Sequence, residues 1–191
     1  MNIQLSKMIY EISELRNLNL SQYKINKLVD QGILKKINRN HYENLTYEDD
    51  YNEFAYVSAY IESGVICLIS AASYYHLTSV RPLEIDIAVH RNRKIRNLPE
   101  WPTVKPYYFS EERYQIGIVN INEDGQCFKI YDIHKTVVDI IYYREKIGIE
   151  ETKEILINYL NHKDRNLNHL YEYAKKLKCE KILKTYMEVL L

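Results

Sequence analysis

Ser21-Gln22-Tyr23-Lys24-Ile25-Asn26-Lys27-Leu28-Val29-Asp30-Gln31-Gly32, followed by Ile33-Leu34-Lys35-Lys36-Ile37, Asn38-Arg39-Asn40 and His41-Tyr42-Glu43, decides the reading of the N-terminal part of the chain. Ser21 is a natural N-cap, because its side-chain oxygen accepts from an otherwise unpaired N–H of the first turn. Ile25, Leu28 and Val29 fall at i, i+3, i+4, one apolar stripe of a helix. Gly32 stops it, since glycine enters the left-handed region freely. The runs on either side of Asn38-Arg39-Asn40 read as strand, tight turn, strand. Upstream, Leu5, Met8, Ile9, Ile12 and Leu15 predict a helix, broken by Asn17-Leu18-Asn19. Helix, turn, helix, hairpin is the order of a winged helix-turn-helix. The support helix that usually precedes the pair reads as missing or very short.

That architecture selects candidate DNA-binding residues: Ser21, Gln22, Tyr23, Lys24, Asn26 and Lys27 from the second helix, and Lys35, Lys36 and Arg39 from the wing. Side-chain amides and cations on a helix read base edges in the major groove. N–H groups at the helix start suit a phosphate, and wing cations suit the backbone. Periodicity alone fits equally well a small helical domain whose lysines are a solvated face.

Charge supports a module boundary near residue 45 more than it supports a partner. The 191 residues carry 26 Lys and Arg against 26 Asp and Glu, so net charge does not announce nucleic-acid binding. Residues 1–45 hold seven Lys/Arg and four acids, whereas residues 46–80 hold five acids and no Lys or Arg. The expected organisation is therefore a DNA-binding domain over 1–45, a linker over 46–52 and a second domain over 53–191. An apolar content of 46% is enough for a packed core. The 19 tyrosines are expected to pack with their hydroxyls at the surface. Cys67, Cys127 and Cys179 are far apart, which argues against a zinc site and suits a reducing compartment. No signal peptide or apolar run of bilayer length is evident. The expectation is a soluble cytoplasmic protein.

In the second part, 53–61 and 65–77 read as helices, the latter rich in small residues. Strand candidates are 84–90, 103–109, 115–121 and 126–131, the last two joined by the hairpin turn Asn122-Glu123-Asp124-Gly125. Four helices with apolar stripes follow, marked by Val137, Ile155, Leu170 and Leu183. The fold class is α+β: a winged helix-turn-helix, then a mixed domain with a small sheet flanked by helices and a helical C-terminus. The loop holding Arg91, Arg93, Lys94 and Arg96 reads as a solvated loop, with a second nucleic-acid contact as the alternative.

No catalytic constellation stands out. Glu84-x-Asp86 puts two carboxylates on one face of a strand, as metal-dependent nucleotidyltransferases do, but the Gly-Ser turn those enzymes need is absent; Ser63-Gly64 has the reverse order. His134-x-x-x-x-Asp139 is too loose for metal ligands, and His162 and His169 are not joined by a helix. Phosphate loops, nucleophile elbows and zinc-protease motifs are missing. Catalytic residues, metal and cofactors are therefore all expected to be none.

The densest run of functional residue types is 131–148, where Lys135 and Asp139 are i, i+4 neighbours expected to pair on a helix surface. Lys135-Thr136-Val137-Val138-Asp139 followed by Tyr143-Arg144-Glu145-Lys146-Ile147-Gly148 resembles the signature of the AbiEi family of type IV antitoxins. Val65 to Ala72 with His76-Leu77-Thr78, Tyr107-Tyr108-Phe109-Ser110, and Leu167 to Leu191 are similar to further parts of that family. The resemblance implies a winged-helix domain binding inverted repeats at its own promoter, with room for a homodimer on DNA. It implies a C-terminal domain that counteracts a nucleotidyltransferase-like toxin without needing a stable complex, in phage defence by abortive infection. For that antitoxic function Lys135, Asp139, Tyr143, Arg144 and Lys146 are the candidate surface. The sequence departs from the family's wing at Asn40, where glycine is usual; asparagine tolerates positive φ. The alternatives are a stand-alone winged-helix regulator without a toxin, an enzyme using Glu84 and Asp86, and a protein-binding module.

Overall fold

In the computed structural model, which describes residues 5–48, 52–95, 98–123 and 125–190, Tyr10 is buried and its neighbours form a strand, β1 (Ile9–Glu11). The helix expected from Leu5 onward therefore begins later, as α1 (Ile12–Asn17), with a capping box between Glu11 and Glu14. The helical spacing was outweighed by the sheet. Ile9, Tyr10 and Glu11 pair with Glu43, Tyr42 and His41 of the hairpin strand, and the Tyr10 hydroxyl accepts from the N–H groups of Ser6 and Lys7 at 2.7 and 3.0 Å.

The next elements follow the sequence reading. Ser21 caps α2 (Gln22–Asp30) by accepting from Lys24 N, and Gly32 ends it at φ +69°. The hairpin comprises β2 (Leu34–Lys36) and β3 (His41–Asn44). The resulting antiparallel sheet has the order β1-β3-β2. One face of it buries Tyr10, Leu34 and Tyr42 against Leu15, Leu20 and Ile25.

The larger sheet is built from β4 (Val65–Ile66), β5 (Ile85–His90), β6 (Val104–Phe109), β7 (Ile118–Glu123) and β8 (Gln126–Tyr131), in the order β6-β5-β4-β8-β7. Parallel pairs are β5 with β6 and β4 with β8, and the other two pairs are antiparallel. Side chains alternate as a pleat requires. Ile66, Ile87, Val89 and Ile130 face α3 (Glu53–Tyr60), whereas Val65, Ala88 and Tyr131 face the helical side. That side carries α4 (Leu68–Tyr74) and α6 (Ile133–Tyr142), with α8 (Ile149–Asn161), α9 (Leu167–Lys176) and α10 (Glu180–Leu190) packed beyond them. The fold is α+β.

Three expectations in this part are corrected. The single helix over 65–77 is a strand, a turn at Leu68 (φ +46°) and the shorter α4, because β-branched Val65 and Ile66 complete the sheet between β5 and β8. The strand expected at 115 starts at Ile118, since Glu111–Gln115 form a helical turn, α5. Gly117 (φ +78°) makes the bend between them; a Cβ there would lie 2.7 Å from the Lys135 Cβ. The tyrosines also do more than present hydroxyls to solvent. Tyr131 and Tyr159 are fully buried and donate to the carbonyls of Tyr114 and Asn166 at 2.8 and 3.0 Å. Asp49, Asp50 and Tyr51 of the expected linker, Arg96 of the basic loop and Asp124 of the β7–β8 turn lie outside the described residues.

Candidate nucleic-acid interface

Ile25 is the fully buried residue of α2, and its burial turns the other side of the helix outward. Ser21, Gln22, Tyr23, Lys24, Asn26 and Lys27 are all exposed, Tyr23 to 78%. A tyrosine so exposed gains little from the core, so its apolar ring is available to a partner. Gln22 Nε2 donates to Asn26 Oδ1 at 3.0 Å, which aligns two amides along one ridge. Lys24 and Lys27 form no ion pair among the described residues.

The hairpin is built differently from its expected form. Asn40 does not adopt positive φ; instead Asn38 closes the turn, its Oδ1 accepting from the N–H groups of Asn40 and His41 at 2.8 and 2.9 Å. The Asn38 amide also donates to Ala59 O at 2.6 Å, and the Asn40 amide to Glu62 Oε1 at 3.2 Å. The hairpin tip is thus seated on the C-terminal end of α3. Arg39 and Lys36 remain exposed without an ion pair among the described residues. Lys35 differs: its ammonium is 3.8 Å from Glu43, whose carboxylate also accepts from the Tyr56 and Tyr60 hydroxyls. Burial works to lower the Lys35 pKa, but Tyr60, Glu43 and Glu100 outweigh it and raise the value. Lys35 therefore keeps its charge but shares it with an acid.

The second candidate surface is corrected in part. Lys135 and Asp139 are not on a helix surface; both are fully buried. They do pair, and Arg113 of α5 joins the same carboxylate from the other side. The Lys135 ammonium sits 4.0 Å from the Tyr131 ring centre, and the Arg113 guanidinium 3.7 Å from that of Tyr142. Rings facing the cations replace part of the hydration they lose. Burial pushes the Lys135 pKa down, with Asp139 acting against it. Tyr143 is half-buried, stacked on Phe109 with ring centres 5.8 Å apart. Arg144 is partly buried and pairs with Glu145 at 3.1 Å, and Lys146 is exposed. Arg144 and Lys146 lie on a separate short turn, α7 (Arg144–Ile147). The sequence signalled Lys135 and Asp139 through their spacing, but nothing in it pointed to Arg113, which is brought in by the α5 turn.

Glu84 and Asp86 do not form a carboxylate pair. Glu84 precedes β5 and is exposed, whereas Asp86 is buried and Oδ2 accepts from Ile69 N at 3.1 Å. Burial raises the Asp86 pKa to about 6. His134 and His169 come together, ring centres 5.3 Å apart, with His134 Nδ1 2.9 Å from the Tyr159 hydroxyl. No cluster of three or more His, Cys, Asp or Glu suited to a metal ion occurs among the described residues, and no helix among them is long and apolar enough to cross a membrane. No protein-family model matches the chain, and no curated protein matches it either.

Proposed function

We propose that this protein is a DNA-binding repressor of the AbiEi antitoxin type, reading its own promoter through an N-terminal winged helix-turn-helix. One observation carries the reading: the outer face of α2 is a continuous exposed set of Gln22, Tyr23, Lys24, Asn26 and Lys27 with no intramolecular ion pair among the described residues, over a core closed by Ile25. Amides, cations and an exposed ring at a helix start are the groups that recognise base edges and phosphates. The order β1-α1-α2-β2-β3, with β3 central in its sheet, supports the winged-helix assignment. Arg39 and Lys36 supply phosphate contacts, and Lys35 a weaker one because Glu43 shares it. Binding to inverted repeats uses two copies of the chain. The antitoxic half, directed at a nucleotidyltransferase-like toxin, rests on the resemblance of residues 135–148 to the AbiEi signature. Lys135 and Asp139 serve it by holding α6 in place, and Tyr143, Arg144 and Lys146 are its accessible residues.

Fluorescence anisotropy of the full chain with its upstream DNA and a scrambled duplex, over a salt series, tests the repressor reading. Lys24→Ala is expected to lose about 1–3 kcal/mol of discrimination between the duplexes. Arg39→Ala is expected to weaken both alike and flatten the salt slope by roughly one unit. Equal binding of both duplexes by the wild type would sink autoregulation through this helix. Co-expression with an adjacent toxin gene then tests neutralisation, and absence of such a gene leaves a stand-alone regulator.

A further inference from the structure

At the end of β5 the chain leaves the sheet through Arg91-Asn92-Arg93-Lys94-Ile95, and this segment is held at several points. Arg91 N donates to Phe109 O at 2.9 Å, Asn92 N to His90 Nδ1 at 3.3 Å and Arg93 N to His90 O at 2.8 Å. Ile95 packs against the core on the α3 side of the sheet. The three cations are nevertheless exposed: Arg91, Arg93 and Lys94 make no ion pair among the described residues. Glu111, which lines the same small cleft as Arg93, is engaged by His90 at 2.8 Å.

A short stretch of chain, residues 59–63, connects this loop to the hairpin tip. Arg93 shares its cleft with Ser63, whose carbonyl is held by the Tyr114 hydroxyl. Ser63 directly follows Glu62, which accepts from Asn40 and lies 3.4 Å from His41. Ala59, one turn earlier, accepts from Asn38. One short stretch, residues 59–63, is therefore bonded to Asn38 and Asn40 of the hairpin tip at one end and shares a cleft with Arg93 at the other. We propose that Arg91, Arg93 and Lys94 form a second phosphate-contacting element, extending the duplex-binding surface from the hairpin tip onto the larger sheet. The proposal rests on the reading of the N-terminal module as DNA-binding. Phosphates repeat closely along a duplex, so cations anchored next to the wing meet the backbone just beyond it. Such contacts fix position and carry no sequence information. The partner is thus double-stranded DNA outside the bases that α2 reads.

The test compares wild type, Arg91→Ala/Arg93→Ala/Lys94→Ala and Lys24→Ala, all as full chains, by anisotropy on operator and scrambled duplexes over a salt series. The triple variant is expected to flatten the salt slope by roughly 2–3 units while keeping the ratio of affinities between the duplexes. Lys24→Ala is expected to do the reverse, losing the ratio. Wild-type slope and affinity in a triple variant that melts like the wild type would overturn the second element and leave the α2 reading intact. Failure of the wild type to bind either duplex would overturn both. If the triple variant melts lower, Arg93→Glu carries the same comparison: weaker binding of both duplexes supports the element, and unchanged binding overturns it.

Discussion

Asp139 holds two cations with one carboxylate in a place that water does not reach. Burying charge costs free energy unless it is paired and hydrogen-bonded, and the arrangement is correspondingly asymmetric. Removing the carboxylate strands Lys135 and Arg113 together. Removing Lys135 leaves the Arg113–Asp139 pair, with Arg113 also donating to Leu177 O at 3.3 Å. Asp139→Ala is therefore expected to destabilise by about 3–5 kcal/mol, the range for breaking a buried pair. Lys135→Met, whose thioether fits beside the Tyr131 and Phe109 rings, is expected to cost less than about 2 kcal/mol. Urea unfolding followed by circular dichroism reads both, and equal losses would refute the hub. The Lys135–Asp139 pair was legible in the sequence from its i, i+4 spacing, but its burial was not. Spacing says that two side chains meet on a helix; it does not say which side of the helix the sheet will cover.

The same distinction holds for whole elements. Strongly periodic helices with caps, such as α2 with Ser21 and Gly32, were readable because their signals are local. β1 and β4 were not, because short strands are set by their partners: Tyr42 and Glu43 for one, Ile87 and Ile130 for the other. The junction of β4 and α4 shows what such a context adds. Leu68 stands at φ +46°, and Asp86 clamps the bend, its carbonyl accepting from Cys67 N at 3.0 Å and its carboxylate from Ile69 N. The clamp has a pH signature. Burial, the leading cause, raises the folded-state pKa to about 6 from an ordinary 3.8. The folded protein then binds more protons than the unfolded chain between those values, so stability is highest below the lower pKa and falls as pH rises through the upper one. The loss attributable to Asp86 is about 3 kcal/mol between roughly pH 4 and 7. A side-chain amide in its place would keep an acceptor for Ile69 N without the charge. Unfolding free energies of wild type and Asp86→Asn are therefore expected to diverge in favour of the variant across that interval. A difference that stays constant with pH would rule this out.

At the scale of the molecule, the N-terminal elements are too small to be self-sufficient. Among the described residues their core cluster holds six buried side chains, closed by helices of six and nine residues. Domains this small bury too small a share of their surface to offset the conformational entropy of ordering the chain. The rest of the protein supplies what is missing on the outer face of the small sheet. Glu43 takes the hydroxyls of Tyr56 and Tyr60, and the hairpin tip is bonded to Ala59 and Glu62. Because the hairpin is fixed to α3, and α3 lies on the larger sheet, the geometry between α2 and the hairpin depends on residues far from either. A fragment of residues 1–48 is accordingly expected to give a far-UV circular dichroism spectrum of a largely unfolded chain and no cooperative melt. The full chain is expected to unfold with the small sheet and α3 in one transition. A sigmoidal melt of the isolated fragment would show that the module stands alone. Its absence would show that the module folds only while the larger sheet holds its hairpin, and the DNA binding proposed above is then expected of the full chain and not of the fragment.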